Sequence, residues 1–142
     1  MTVGVAIVGH GQTASHLLQA ARGILANREL DDVIAVDAGA GENAGLNRVI
    51  GQALEGLDQG QGVVVMVDLW GASPCQCARK NYGAHEVVVL SGLNLAMLLK
   101  LASLDRGVLS PVEVAEACAN SAQRAVSVWN NTRPTAEASG CP

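Results

Sequence analysis

The six residues Gly62 to Val67, GVVVMV, constrain this chain more than any other stretch. They show no alternation of polar and apolar residues, so a strand made of them must be covered on both faces and belongs near the centre of a sheet. A second run, Val3 to Val8, is equally apolar. Each run ends in residues that turn the chain: Gly9-His10-Gly11 after the first, and Asp68-Leu69-Trp70-Gly71-Ala72-Ser73-Pro74 after the second. In an open α/β sheet the carboxyl ends of the strands are where ligands bind, because loops there are exposed and helix amino termini attract anions. The expectation is that these two crests lie side by side.

The rest of the chain alternates in the same sense. After the first crest Leu17, Leu18, Ala21, Ile24 and Leu25 recur at helical spacing, and the polar stretch 27–32 ends that helix. Val33 to Val36 reads as a second strand closing at Asp37, followed by a flexible loop, Ala38-Gly39-Ala40-Gly41. Leu46, Val49, Ile50, Ala53, Leu54 and Leu57 form the strongest helical stripe. Ser73-Pro74 starts a helix with an N-cap and a proline at the first helical position. Glu86 to Leu90 reads as a fourth strand, and Ser91 to Asn94 as a loop into a helix bearing Leu95, Leu98, Leu99 and Ala102. Ser110-Pro111-Val112-Glu113 is a capping-box sequence opening a last helix towards Ala125. Val126 to Thr132 fits either a helix end or a short edge strand, and residues 133–142 read as a disordered tail. Strands alternating with helices imply right-handed crossovers and a parallel sheet in one domain, residues 1–132.

Composition excludes several functions. A chain of 142 residues with 49% hydrophobic content builds one core and leaves no room for a second substrate domain. A net charge of -4 with no basic run argues against nucleic acid, since phosphate backbones are held by clustered Lys and Arg. No segment approaches the ~20 apolar residues of a membrane helix, and the start lacks the basic region of a signal peptide, so the expected location is cytoplasmic. Cys75, Cys77, Cys118 and Cys141 have neither disulfide-framework nor zinc spacing and read as free thiols, so no metal site is expected.

A histidine flanked by two glycines leaves bare backbone around its ring, which suits a nucleophile approached by a bulky partner. Asp68, at the end of the neighbouring strand, is the natural acceptor for its Nδ1 proton, leaving the Nε2 lone pair for attack while the carboxylate offsets the charge that develops. A phosphoryl group so acquired would be received by the free N–H groups of the helix opened by Ser73. That step requires no metal or nucleotide cofactor. The plainer reading makes His10 a solvated loop residue, Asp68 a strand end, Ser73-Pro74 only a helix start and Trp70 a hydrophobic lid. His16 and His85 read as surface or structurally satisfied histidines.

Gly9-His10-Gly11, Gly41-Glu42-Asn43-Ala44 and Val67-Asp68-Leu69-Trp70-Gly71-Ala72-Ser73-Pro74, in that order, resemble the mannose-family IIA domain of the bacterial sugar phosphotransferase system. The resemblance spans roughly residues 1 to 130. It implies a three-layer α/β fold with a parallel sheet in order 2-1-3-4 and helices on both faces, with an added antiparallel edge strand exchanged in a homodimer. It also implies that His10 accepts a phosphoryl group from the phosphocarrier protein HPr and passes it to a histidine of a IIB component, with Asp68 in support. Gly9, Gly11, Trp70, Gly71, Ala72 and Ser73 are then the phosphate- and partner-binding residues. Sugar choice belongs to membrane IIC and IID components, with which the protein would associate without inserting. The family often has two glycines after the tryptophan where this chain has Gly71-Ala72, and a large apolar residue where it has Cys75. The 142 residues end without a linked IIB domain, and the expectation is a free-standing IIA that donates to a separate IIB or acts as a regulatory phosphorylation-state sensor.

Two other readings compete. Gly9-x-Gly11-x-x-Ala14 after a strand, with Asp37 closing the next strand, matches a dinucleotide-binding fingerprint. A non-catalytic protein-binding module would use the same crest only to dock a partner.

Overall fold

The computed structural model describes residues 1–26, 28–40, 44–69 and 86–132. Among them the elements run β1 (Gly4–Gly9), α1 (Thr13–Ile24), β2 (Ile34–Asp37), α2 (Ala44–Leu57), β3 (Val63–Val67), β4 (Val87–Ser91), α3 (Leu95–Ala102) and α4 (Pro111–Arg124). The four strands pair in parallel in the order β2-β1-β3-β4, as expected.

The two unalternated runs are the two central strands, and every residue of both is buried. Their register sets Val5 beside Val64 and Ile7 beside Met66 on one face, and Ala6 beside Val65 and Val8 beside Val67 on the other. The first face packs against α1, α3 and α4, with Leu18, Leu98 and Val114 among the residues covering it. The second packs against α2 through Leu46, Ile50, Leu54 and Leu57. Helices on both faces make three layers. Each large aliphatic side chain withdrawn from water contributes about 1.5–3 kcal/mol, which explains why a chain poor in aromatics can hold this sheet.

Two members of the expected helical stripes face outward. Ile24 is 58% and Val49 46% exposed. At 3.6 residues per turn Ile24 lies about 120° round α1 from the buried Leu18, and Val49 about 100° round α2 from Ile50, so both fall beside the buried stripe. The real stripe of α1 is Ala14, Leu18 and Ala21.

The helix starts on the β4 side follow their caps. Asn94 Oδ1 accepts from Met97 N at 2.9 Å at the head of α3. Ser110 and Glu113 form the expected reciprocal box at the head of α4, with Pro111 in the first turn. Cys118 on α4 is a free, buried thiol; burial pushes it up to about 11 despite Lys100 and Arg106, which act in the opposite direction. At the far end of the sheet Arg106 donates to Val3 O at 3.0 Å and to Asp32 Oδ1 at 2.6 Å, tying the start of β1 to the connection before β2.

Of the stretch Val126 to Thr132, residues 126–130 continue neither α4 nor the sheet within this chain, and Val126, Val128 and Trp129 are exposed. The expected helix at Ser73-Pro74, residues Gly41, Glu42, Asn43, Cys75, Cys77, His85 and Cys141, and the tail 133–142 lie outside the described residues.

Candidate active site

The parallel register β1 to β3 ends at Val8 opposite Val67, so the next residues of both strands emerge at one level of the same sheet edge. This is where the strand order reverses, since β1 is followed on one side by β2 and on the other by β3. His10 and Asp68 are brought together there although they are 58 residues apart in sequence.

Asp68 grips His10 at two points. Its Oδ2 accepts from the His10 backbone N–H at 2.8 Å and lies 3.0 Å from Nδ1, while Oδ1 is 3.2 Å from Nδ1 and accepts from Leu69 N at 2.9 Å. An ionised carboxylate can only accept, so Nδ1 is the protonated nitrogen of the neutral ring facing it. Nε2, on the far edge of the ring, keeps its lone pair. The His10 side chain is 36% exposed and that of Asp68 16%, so the ring stands open while its partner is sheltered.

Burial pushes the Asp68 carboxyl upward, but the His10 amide, the His10 ring and the Leu69 amide together outweigh it and hold the group below its ordinary 3.8. The unfolded chain would have the ordinary value. The stability gained from these bonds is therefore complete above about 3.8 and is lost as pH falls through the lower folded value. Urea denaturation at a series of pH values should give a stability gap between wild type and Asp68→Asn that narrows as pH falls below about 3.8. A gap that stays constant in acid would contradict this origin.

The glycines beside the histidine have different functions. A Cβ at Gly9 would stand 3.2 Å from both Thr13 Cβ and Ala14 N and 3.5 Å from Asp68 Oδ2, so its bare Cα admits the protein's own atoms. Gly11 has φ +55 with nothing within 4 Å of a Cβ; it takes a left-handed turn on the open side of the crest. Its N–H donates to Gly39 O at 2.9 Å, and Ala38 N donates to Gly9 O at 2.8 Å, stitching the β2 crest to the β1 crest.

In a dinucleotide-binding fold, the competing reading, the acid that closes the second strand binds the ribose hydroxyls. In the structure Asp37 Oδ1 accepts from Ser15 N at 3.0 Å and Oδ2 from Ser15 Oγ at 2.5 Å. The carboxylate thus caps the first turn of α1, whose own N-cap, Gln12, makes no side-chain bond. Both oxygens that the dinucleotide reading requires are engaged within the protein. Sequence reasoning also passed over Thr13, whose Oγ1 donates to His10 O at 2.6 Å. A threonine three residues after the histidine, at a helix start, was the available signal. Trp70, Gly71, Ala72 and Ser73 lie outside the described residues, and Leu69, the last before them, is 61% exposed. Among the described residues no group of His, Cys, Asp or Glu is arranged to hold a metal ion, and no helix is long and apolar enough to cross a membrane.

The family model described as PTS system fructose IIA component, EIIA-man, matches residues 4–126. The chain is 35% identical over 102 residues to the PTS system mannose-specific EIIAB component of Escherichia coli (strain K12), an alignment covering 70% of this chain and 31% of that protein. The chain thus spans about a third of the length of the curated relatives it matches. Among solved structures, the mannose/sorbose specific IIA subunit from Enterococcus faecalis superposes with a TM-score of 0.78 at 27% identity, covering 95% of this chain and 100% of that one. The PTS IIA protein associated with the fucose utilization operon from Streptococcus pneumoniae gives 0.73 at 25% identity, covering 89% and 93%.

Proposed function

The chain belongs to the EIIA-man family of phosphotransferase-system IIA components, and we propose that its residues 1–132 form a phosphoryl carrier that takes the group from HPr on His10 and passes it to a IIB component. The observation that supports this is the double grip of Asp68 on the His10 amide and Nδ1, which turns Nε2 towards the open crest.

The Nε2 lone pair attacks the phosphorus of the phosphorylated donor. The N–P bond forms as the bond from phosphorus to the donor's leaving atom breaks, and its electron pair departs with the donor. The Nδ1 proton stays between ring and carboxylate, and the positive charge developing on the imidazole faces an anion already in place, so little rearrangement accompanies the reaction. Transfer to IIB runs the same step in the other direction, with His10 as the leaving group. Gly11 leaves room for the incoming phosphoryl group, and Trp70, Gly71, Ala72 and Ser73 complete the proposed set of phosphate- and partner-binding residues. The carrier works in the cytoplasm, alongside the membrane IIC and IID components or as a sensor whose phosphorylation state is read elsewhere.

The test is intact mass over a time course with phosphoenolpyruvate, enzyme I and HPr. One acid-labile phosphoryl group per chain is expected. A folded protein that gains none from cognate partners would overturn the reading.

The exposed Val126, Val128 and Trp129 support a homodimer in which this segment pairs with a second copy. Val126 and Val128 are two apart and share one face of an extended segment. Sedimentation should show a dimer that Trp129→Glu weakens; a wild-type monomer at all concentrations would rule it out.

A further inference from the structure

The loop that presents His10 is short and contains a residue of high backbone freedom. Between the end of β1 at Gly9 and the start of α1 at Thr13 lie only His10, Gly11 and Gln12; Gly11 sits at φ +55, and the side chain of Gln12 bonds nothing in the helix it precedes. The direction of the His10 Cα–Cβ bond therefore depends on what holds the residue at its two ends. On the amino side the His10 N–H is held by Asp68. On the carboxyl side the His10 carbonyl accepts twice from one residue, from Thr13 N at 3.0 Å and from Thr13 Oγ1 at 2.6 Å. A carbonyl has two lone pairs, and both are taken.

We infer that Thr13 is a positioning residue for His10, its hydroxyl fixing the histidine's peptide plane so that Asp68 and the ring stay in register during transfer. This rests on the phosphoryl-carrier reading above. Two further observations support it. Thr13 is β-branched, which restricts its side-chain rotamers, and its Cβ approaches the bare face of Gly9, 3.2 Å from where a Cβ would stand. The hydroxyl is thereby aimed back at His10. Apart from Asp68, Thr13 is the residue among those described whose side chain bonds to His10. The backbone bond survives any substitution but proline, whereas the hydroxyl bond is set by the residue chosen.

The test uses Thr13→Val, which keeps the branch and removes the donor, and Thr13→Ser, which keeps the donor. Each is checked by thermal melting to be folded. In rapid-quench transfer from phosphorylated HPr, Thr13→Val should lower kcat about tenfold with KM for the donor unchanged, because a small misplacement of a reacting atom costs rate rather than binding. Thr13→Ser should recover most of that loss. A Val variant as fast as wild type, or a Ser variant as slow as Val, would overturn the proposal. Nitrogen-edited NMR of the His10 ring gives a second readout that needs no donor. A single sharp set of ring signals is expected in wild type and in Thr13→Ser, broadened or split in Thr13→Val; identical spectra in all three would overturn it. If wild type accepts no phosphoryl group, the carrier reading falls, and the ring spectra alone decide whether Thr13 positions the histidine.

Discussion

His10→Ala should take up no phosphoryl group from HPr under conditions that fully label the wild type, while His16→Ala labels normally. In the proposed mechanism the acceptor is the Nε2 lone pair, and removing the imidazole leaves the crest without a nitrogen nucleophile at that point. His16 is exposed on α1 and is not among the residues that Asp68 holds, so it serves as the internal control. The substitution should leave the fold intact, because the His10 side chain lies at the sheet edge and its one strong partner, Asp68, keeps its bonds to the His10 and Leu69 backbone amides. Intact mass and peptide mapping of the labelled chain check both points. Full labelling of His10→Ala would place the acceptor elsewhere and remove the basis for the proposed mechanism.

Asp68→Asn should slow transfer on the order of a hundredfold, about 2.7 kcal/mol of transition-state stabilisation, with KM for the donor little changed. The geometry explains why this substitution isolates charge. Oδ2 carries two contacts to His10, so the asparagine carbonyl takes that position and keeps them; its amide then faces Leu69 N–H, donor against donor. Position is mostly preserved, whereas the anion that offsets the ring's developing charge is gone. Rapid-quench measurement with wild type alongside tests it. Equal kcat in the two proteins would show that Asp68 only places the ring and that its charge contributes nothing.

Much of this fold could be read from local pattern. The unalternated runs at Val3 to Val8 and Gly62 to Val67 could only be strands covered on both faces, and they are the two central ones. The box at Ser110 and Glu113 is a three-residue relation and needed no tertiary information. Local pattern failed where a residue's role depends on what arrives from elsewhere. Ile24 and Val49 have the spacing of buried residues but sit just beyond the strip that the sheet covers. Asp37 ends a strand before a glycine-rich loop, as a ribose-binding acid would, and only the approach of α1 shows that Ser15 takes both its oxygens.

The sequence by itself determined where the strands and helices lie and which way each strand runs, because hydrophobic period, turn residues and caps act over a few positions along the chain. The tertiary structure alone decided that Asp68 meets Nδ1 and the amide of His10 rather than solvent. That contact depends on the parallel register of β1 and β3 to within one residue, a slip of which would turn Asp68 to the opposite face of the sheet. The cap on α1 is of the same kind: Asp37 reaches Ser15 from a separate segment, whereas the bond from Thr13 to the His10 carbonyl spans only three residues. Register and helix placement are set by the packing of two faces at once, and neither face is encoded in any single stretch.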